Sequence, residues 1–147
     1  IKNSGEKQAL HWYFTKVNVK DNYCVFDVGA NEGKFTNDVI EILGDKSQIY
    51  CFEPQTKCYD VLLNQFSHQN NVSILDCALS KENTTGNIYF SSEGEAIASL
   101  TPNILIQNAG DVRQTEIAIK TLDSFCADKG ILEIDLLKID VEGHEID

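Results

Sequence analysis

Methionine is absent from the 147 residues, and proline (two), arginine (one) and tryptophan (one) are scarce. Because the chain lacks Met and starts at Ile1, the start of translation is out of view, and the chain is expected to be a piece of a longer one. No apolar run approaches the roughly 20 residues needed to cross a bilayer, and residues 1–8 are polar where a signal segment would be apolar. No membrane contact is therefore expected. Basic charge is also sparse: Arg113 is the sole arginine, the lysines do not cluster, and 23 acidic residues against 12 basic ones leave a formal charge of −11. The electrostatic footprint that attracts nucleic acid is missing.

Cys24, Cys51, Cys58, Cys77 and Cys126 are odd in number and contain no C-x-x-C pair. Three of them lie in apolar runs, where reduced cysteine behaves as a small hydrophobe, so structural thiols and a cytoplasmic compartment are expected. What the chain does have is a core: 42% hydrophobic residues, with seven Phe and five Tyr, at a length suited to one domain spanning 1–147.

Leu10, Tyr13, Phe14 and Val17 recur at helical spacing and predict an opening helix ending near Lys20, with Trp12 and Tyr13 expected in the core. Residues 23–28 form a short apolar run closed by Gly29, as a buried strand requires. Phe35, Val39, Ile42 and Leu43 resume the helical period, and Gly44 stops it. Residues 48–52 predict a second strand, Glu53-Pro54 opens a helix carrying Tyr59, Leu62, Leu63 and Phe66, and residues 71–79 predict a third strand interrupted by Asp76. Such a β-α-β-α-β order predicts a doubly wound sheet. Residues 86–120 break the rhythm and read as a hairpin-like insertion with a long loop. Thr121 then caps a short helix, Gly130 ends it, and residues 136–141 form a fourth core strand.

Three features carry chemistry. The first is the strand and turn Val25-Phe26-Asp27-Val28-Gly29-Ala30-Asn31-Glu32-Gly33, whose G-x-x-x-G spacing permits a sharp turn, bare backbone against a ligand and a helix starting close to the sheet. Asn31 stands where a dinucleotide site needs its middle glycine, which argues against NAD and FAD. Asp27 offers a carboxylate to an ammonium or to backbone amides. The second feature is Glu53, at the end of strand two and 24 positions beyond Gly29, where an acidic side chain can accept both hydroxyls of a ribose; Pro54 fixes the turn after it. The bland alternative for Glu53 is a helix-start carboxylate favoured by the dipole. The third is Leu136-Leu137-Lys138-Ile139-Asp140-Val141-Glu142-Gly143-His144-Glu145, an apolar strand ending in ionisable groups. Asp140 and Glu142 would share a face in extended chain, and His144 has an ordinary pKa suited to proton removal near neutrality. Its bland alternative is a helix start.

The blocks Asp27 to Gly33, Phe52-Glu53-Pro54, Ala78-Leu79-Ser80, Thr121-Leu122-Asp123 and Leu137 to Glu145, in this order and spacing, resemble the FkbM-type S-adenosylmethionine-dependent methyltransferases. The resemblance implies an α/β class I methyltransferase fold, a doubly wound Rossmann-like, mostly parallel sheet, here ending after the fourth core strand of seven. It implies S-adenosyl-L-methionine as cofactor and methyl transfer to a hydroxyl of a sugar, polyketide or other small molecule. Carried across by residue, it puts Asp27, Gly29, Ala30, Asn31 and Gly33 along the methionine portion, Glu53 and Pro54 at the ribose, and Asp76, Cys77 and Ala78 at the adenine. Asp140 would face the sulfonium or amino end, with Glu142 and His144 orienting or deprotonating the acceptor as the catalytic pair. No metal is expected, although Asp140, Glu142, His144 and Glu145 offer a divalent-metal alternative. The rival functions are an NAD-dependent oxidoreductase and a non-catalytic binding module. A fourth strand with an open edge also predicts self-association.

Overall fold

The computed structural model describes residues 5–90 and 113–141. Four parallel strands form the main sheet: β1 (Tyr23–Val28), β2 (Ser47–Phe52), β3 (Val72–Leu75) and β7 (Leu136–Ile139), in the order β3-β2-β1-β7. Helices α1 (Gly5–Trp12), α2 (Lys34–Leu43), α3 (Thr56–Phe66) and α4 (Leu122–Lys129) accompany it. A second sheet, in the order β4-β6-β5, joins β4 (Cys77–Leu79) in parallel to β6 (Arg113–Lys120), which pairs antiparallel with β5 (Thr84–Phe90). The direction of chain growth reverses between β1 and β7, so the crevice of the fold opens at their carboxyl ends.

Strand alternation divides the core into two layers. Tyr23 and Val25 of β1 and Ile49 and Cys51 of β2 pack with Leu10, Phe35, Val39, Leu62 and Phe66 from the helical layer. Phe26, Val28 and Phe52 point the other way, onto Phe125 of α4. The Phe125 ring meets Phe26, Tyr50 and Phe52 edge-on at centroid distances of 5.7, 5.3 and 5.0 Å. Each buried ring of this kind contributes roughly 1.5–3 kcal/mol through removal from water. With helices on both faces, even the adjacent residues Val25 and Phe26 are both fully buried, which is why β1 reads as an apolar run. Helix α4 has the expected ends: Thr121 Oγ1 accepts from the Ser124 amide at 3.1 Å, and Gly130 adopts φ +65°.

Three expectations need correction. Residues 71–79 form two strands rather than one: β3 pairs with β2, while β4 leaves for the second sheet, with exposed Asp76 at the break. The opening helix stops short of Lys20, passing through a π-helical turn at Tyr13–Val17 whose end the Asn18 amide closes on Tyr13 O. There the Tyr23 hydroxyl accepts from the Lys20 amide and donates to Asn18 O, holding the chain out of helix. Trp12, expected in the core, is 61% exposed. Among the described residues no helix is long and apolar enough to cross a membrane. None of the five cysteines forms a disulfide; burial pushes Cys51 up to about 12 and Cys24 up to about 11, leaving both protonated and unreactive at neutral pH.

Asp135, just ahead of β7, ties the entry of the sheet together. Its side chain, 5% exposed, accepts from the Cys24 amide at 2.9 Å and from Asn18 Nδ2 at 3.1 Å, and pairs with Lys20 at 2.6 Å. Burial alone would raise its carboxyl, but Lys20, the Cys24 amide and Asn18 together hold it below the usual range. A depressed folded pKa stabilises above the unfolded value, and that contribution is lost as pH falls through the folded value. Asp135→Ala should therefore cost about 1.5 kcal/mol at neutral pH, the low end for a charged hydrogen-bond acceptor because Lys20 is partly screened by water. In urea melts the difference from wild type should shrink under acid conditions; a pH-independent difference would contradict the assignment.

Candidate functional site

The register of the main sheet defines the site. Val28 pairs with Phe52 and with Ile139, and Phe52 pairs with Leu75. The next residue on each strand is therefore Gly29, Glu53, Asp140 and Asp76, and these four positions share one row at the carboxyl edge.

The turn leaving β1 is built by close approach. Gly29 has φ +74°, and a Cβ there would lie 2.0 Å from the Asp140 carbonyl oxygen. Gly33 has φ +80°, and its Cβ would lie 2.6 Å from the Phe66 ring and 2.8 Å from Leu62. The space beside both glycines is thus filled by protein: Gly29 lets β1 and β7 meet, and Gly33 lets the start of α2 lie against α3. Asn31 between them takes φ +49°, in the left-handed region that asparagine tolerates. Four amides of this turn face inward. Those of Gly29 and Ala30 donate to Phe52 O at 3.0 and 3.1 Å, that of Gly33 donates to Ala30 O at 2.8 Å, and that of Asn31 donates to Glu53 Oε2 at 2.8 Å.

Glu53 is buried and bridges two segments, since its Oε1 also accepts from the Gln55 amide at 2.9 Å. Its own amide donates to Leu75 O at 3.0 Å, which carries the row across to β3. Burial pushes the Glu53 carboxyl above its ordinary value, and the Gln55 and Asn31 amides pull it part of the way back. Each oxygen accepts one amide and retains a second acceptor direction. Behind the turn, Cys58 Sγ donates to Asn31 Oδ1 at 3.3 Å.

Asp27 is completely buried. Thr36 Oγ1 donates to its Oδ2 at 2.7 Å, and Lys138 Nζ lies 3.1 Å from Oδ1 in an ion pair without hydrogen-bond alignment. Asp27 and Lys138 are register partners on neighbouring strands, so their side chains share a face. The same ammonium donates to Gly29 O at 2.9 Å and lies 3.8 Å from Asp140 Oδ2. The Asp140 side chain is 65% exposed. Asp27 is thus turned into the protein, and Asp140 is the carboxylate that meets solvent.

Of the other expected residues, Ala30 is buried with the α2–α3 layer, Pro54 is half-buried, and Asp76 is exposed. Cys77 is buried beside Phe125, and half-buried Ala78 packs on Ile88 and Ile117 of the second sheet. Glu142, His144 and Glu145 lie outside the described residues, as does the loop of the insertion.

The profile of the "Methyltransferase FkbM domain" matches residues 27–147. That span begins at Asp27 and takes in every residue of the carboxyl-edge row. The chain belongs to the FkbM methyltransferase family. Among its relatives, the 2-O-methyltransferase NoeI of Sinorhizobium fredii is 25% identical over 164 residues, covering 100% of this chain and 64% of the relative. The methyltransferase sdnD of Sordaria araneosa is 27% identical over 157 residues, covering 88% of this chain and 60% of the relative. The chain therefore spans less than two thirds of either relative. The crystal structure of a methyltransferase FkbM from Methylobacillus flagellatus shares the fold, with a TM-score of 0.55 and 17% identity over 90% of this chain and 30% of that one.

The resemblance to the FkbM family assigns no task to Lys138 or Thr36, which the structure places at the centre of the site. A signal was present in the sequence. Lys138 is the one charged residue of an otherwise apolar core strand, and Asp27 the one charged residue of another. A charge committed to a buried strand requires a partner.

Proposed function

We propose that this FkbM chain forms the cofactor-binding part of an S-adenosyl-L-methionine-dependent O-methyltransferase acting on a hydroxyl of a sugar, polyketide or other small molecule. The observation that carries the reading is the orientation of the turn amides. A pyrophosphate site needs N–H groups aimed at the ligand. Here the amides of Gly29, Ala30, Asn31 and Gly33 are all spent inside the protein. Charge points the same way. Glu53, Asp140 and Asp27 set three carboxylates against the single ammonium of Lys138, a balance that suits a cationic ligand and repels a diphosphate.

The residues fit such a cofactor. Glu53, with an acceptor direction left on each oxygen, is the group to hold a ribose diol, and Asp140 is the exposed carboxylate to face an ammonium or sulfonium. When bound, the cofactor would supply an activated methyl group, so the protein's part is to align an acceptor oxygen with it and to exclude water. Glu142 and His144 follow Asp140 in the chain and are the proposed groups for orienting and deprotonating that oxygen. The hydroxyl acceptor is supported by family membership and by the relative named as a 2-O-methyltransferase.

Calorimetric titration with S-adenosylhomocysteine should show binding that Glu53→Ala weakens roughly 10- to 100-fold, the loss of charged acceptors for the ribose hydroxyls. NADH binding in the absence of S-adenosylhomocysteine binding would overturn the reading. The raised Glu53 pKa adds a pH dependence. A group with a raised folded pKa contributes stability below its unfolded pKa and loses it as pH rises through the folded value. The carboxylate is also the better acceptor for two hydroxyls. Ligand-free stability from this residue should therefore fall, and affinity for S-adenosylhomocysteine rise, across the same window above the ordinary glutamate pKa. A Glu53→Gln variant should flatten both trends; if its profiles matched wild type, Glu53 would not be the group responsible.

A further inference from the structure

We propose that Lys138 is a positioning residue for the cofactor, fixing the Gly29 carbonyl and steering the Asp140 carboxylate so that the cationic end of the ligand is held at one place on the lip. This inference rests on the S-adenosyl-L-methionine reading above. An ammonium has three donor directions. Lys138 Nζ donates to Gly29 O at 2.9 Å and is ion-paired with Asp27 Oδ1 at 3.1 Å and Asp140 Oδ2 at 3.8 Å, with the Phe35 ring centroid 5.9 Å away.

As a counter-ion for Asp27 alone, Lys138 would need only the strand register that already sets the two side by side. The other two contacts go to the lip of the crevice. Gly29 O belongs to the positive-φ residue where the turn begins, and the same turn presents the Asn31 amide to Glu53. Holding that carbonyl therefore fixes the turn relative to both the ribose carboxylate and β7. The charge arrangement supports the role. Asp27 is buried and neutralises the ammonium, so Lys138 can restrain Asp140 without cancelling its charge toward a ligand. Asp27, Lys138 and Asp140 then form a relay from the core to solvent whose outward member is anionic.

The test compares wild type, Lys138→Met and the double variant Asp27→Asn/Lys138→Met in the full chain, by thermal melting and by titration with S-adenosylhomocysteine. Lys138→Met alone should melt early, because it leaves a buried carboxylate without its cation. The double variant removes both charges at similar volume and should recover most of the melting temperature. Its affinity for S-adenosylhomocysteine should nevertheless stay about tenfold or more below wild type, as expected for the loss of one charge-assisted contact that orients the site. A double variant that binds like wild type would show that Lys138 serves only to neutralise Asp27, and would overturn the proposal while leaving the function intact. Wild type that fails to bind S-adenosylhomocysteine would overturn the function and this inference together.

Discussion

Gly29→Ala is expected to destabilise the protein by about 3 kcal/mol or more and to abolish cofactor binding at concentrations that saturate wild type. Two costs combine. The left-handed backbone at φ +74° disfavours any Cβ, by roughly 1–2 kcal/mol. The larger cost is contact: the new atom would lie 2.0 Å from the Asp140 carbonyl oxygen, a backbone atom that cannot rotate away. Relief requires β1 and β7 to part at their carboxyl ends, which strains the 3.0 Å hydrogen bond from the Asp140 amide to Val28 O and the 2.9 Å bond from Lys138 to Gly29 O. Gly130→Ala separates the two costs, because Gly130 lies in the left-handed region at φ +65° and has nothing within 4 Å of its Cβ position. That variant should lose only the conformational part, about 1 kcal/mol, and should bind S-adenosylhomocysteine normally. Urea unfolding with the two variants side by side decides the matter. Equal losses would mean that the approach of Asp140 to Gly29 does not limit the fold.

The same glycine shows how far the residues alone could be read. Its position after an apolar strand identifies a tight turn, and the alternation of apolar runs with helical periods identifies the sheet. Both follow from local rules, because a strand buried on two faces must be apolar and a helix at its surface must be striped. What glycine makes room for is not local. The residues alone give the space at Gly29 to a ligand, whereas the folded chain fills it with Asp140 O; Gly33, read as allowing a close helix start, meets Phe66 of α3 there. Asp76 is a similar case: an acidic residue interrupting an apolar run is visible in the sequence, but its outcome depends on which strand is next to β4, and that strand, β6, comes some 40 residues later in the chain. Asp27 carries the lesson furthest. Its place beside the turn is legible, while its burial depends on Lys138, more than 100 positions away and brought alongside by the parallel pairing of β1 with β7.

Asp27→Ala is expected to cost about 3 kcal/mol, about twice the loss at Asp135, although both are carboxylates paired with a lysine. The difference lies in what each substitution leaves behind. Without Asp135, the Lys20 ammonium turns to water, since its side chain is 34% exposed and Glu133 lies 2.6 Å away on the surface. Without Asp27, the Lys138 ammonium is held against the Phe35 ring and Gly29 O, with Asp140 at 3.8 Å as its remaining anion. A cation so enclosed retains most of its desolvation cost and loses its nearer counter-charge, which is the costly way to break a buried pair. Its partial access to solvent, 19% of the side chain, puts the estimate at the lower end of the 3–5 kcal/mol range for such pairs. Thr36 Oγ1 also loses its acceptor, though Cys51 Sγ remains 3.1 Å away. Binding should fall with stability, because the freed ammonium draws Asp140 inward and removes the anionic face offered to a cationic ligand. Chemical denaturation of Asp27→Ala and Asp135→Ala, with S-adenosylhomocysteine titration of each, tests both parts. If Asp135→Ala proves the more costly, or if Asp27→Ala binds the ligand as wild type does, the buried pair is not what organises this site.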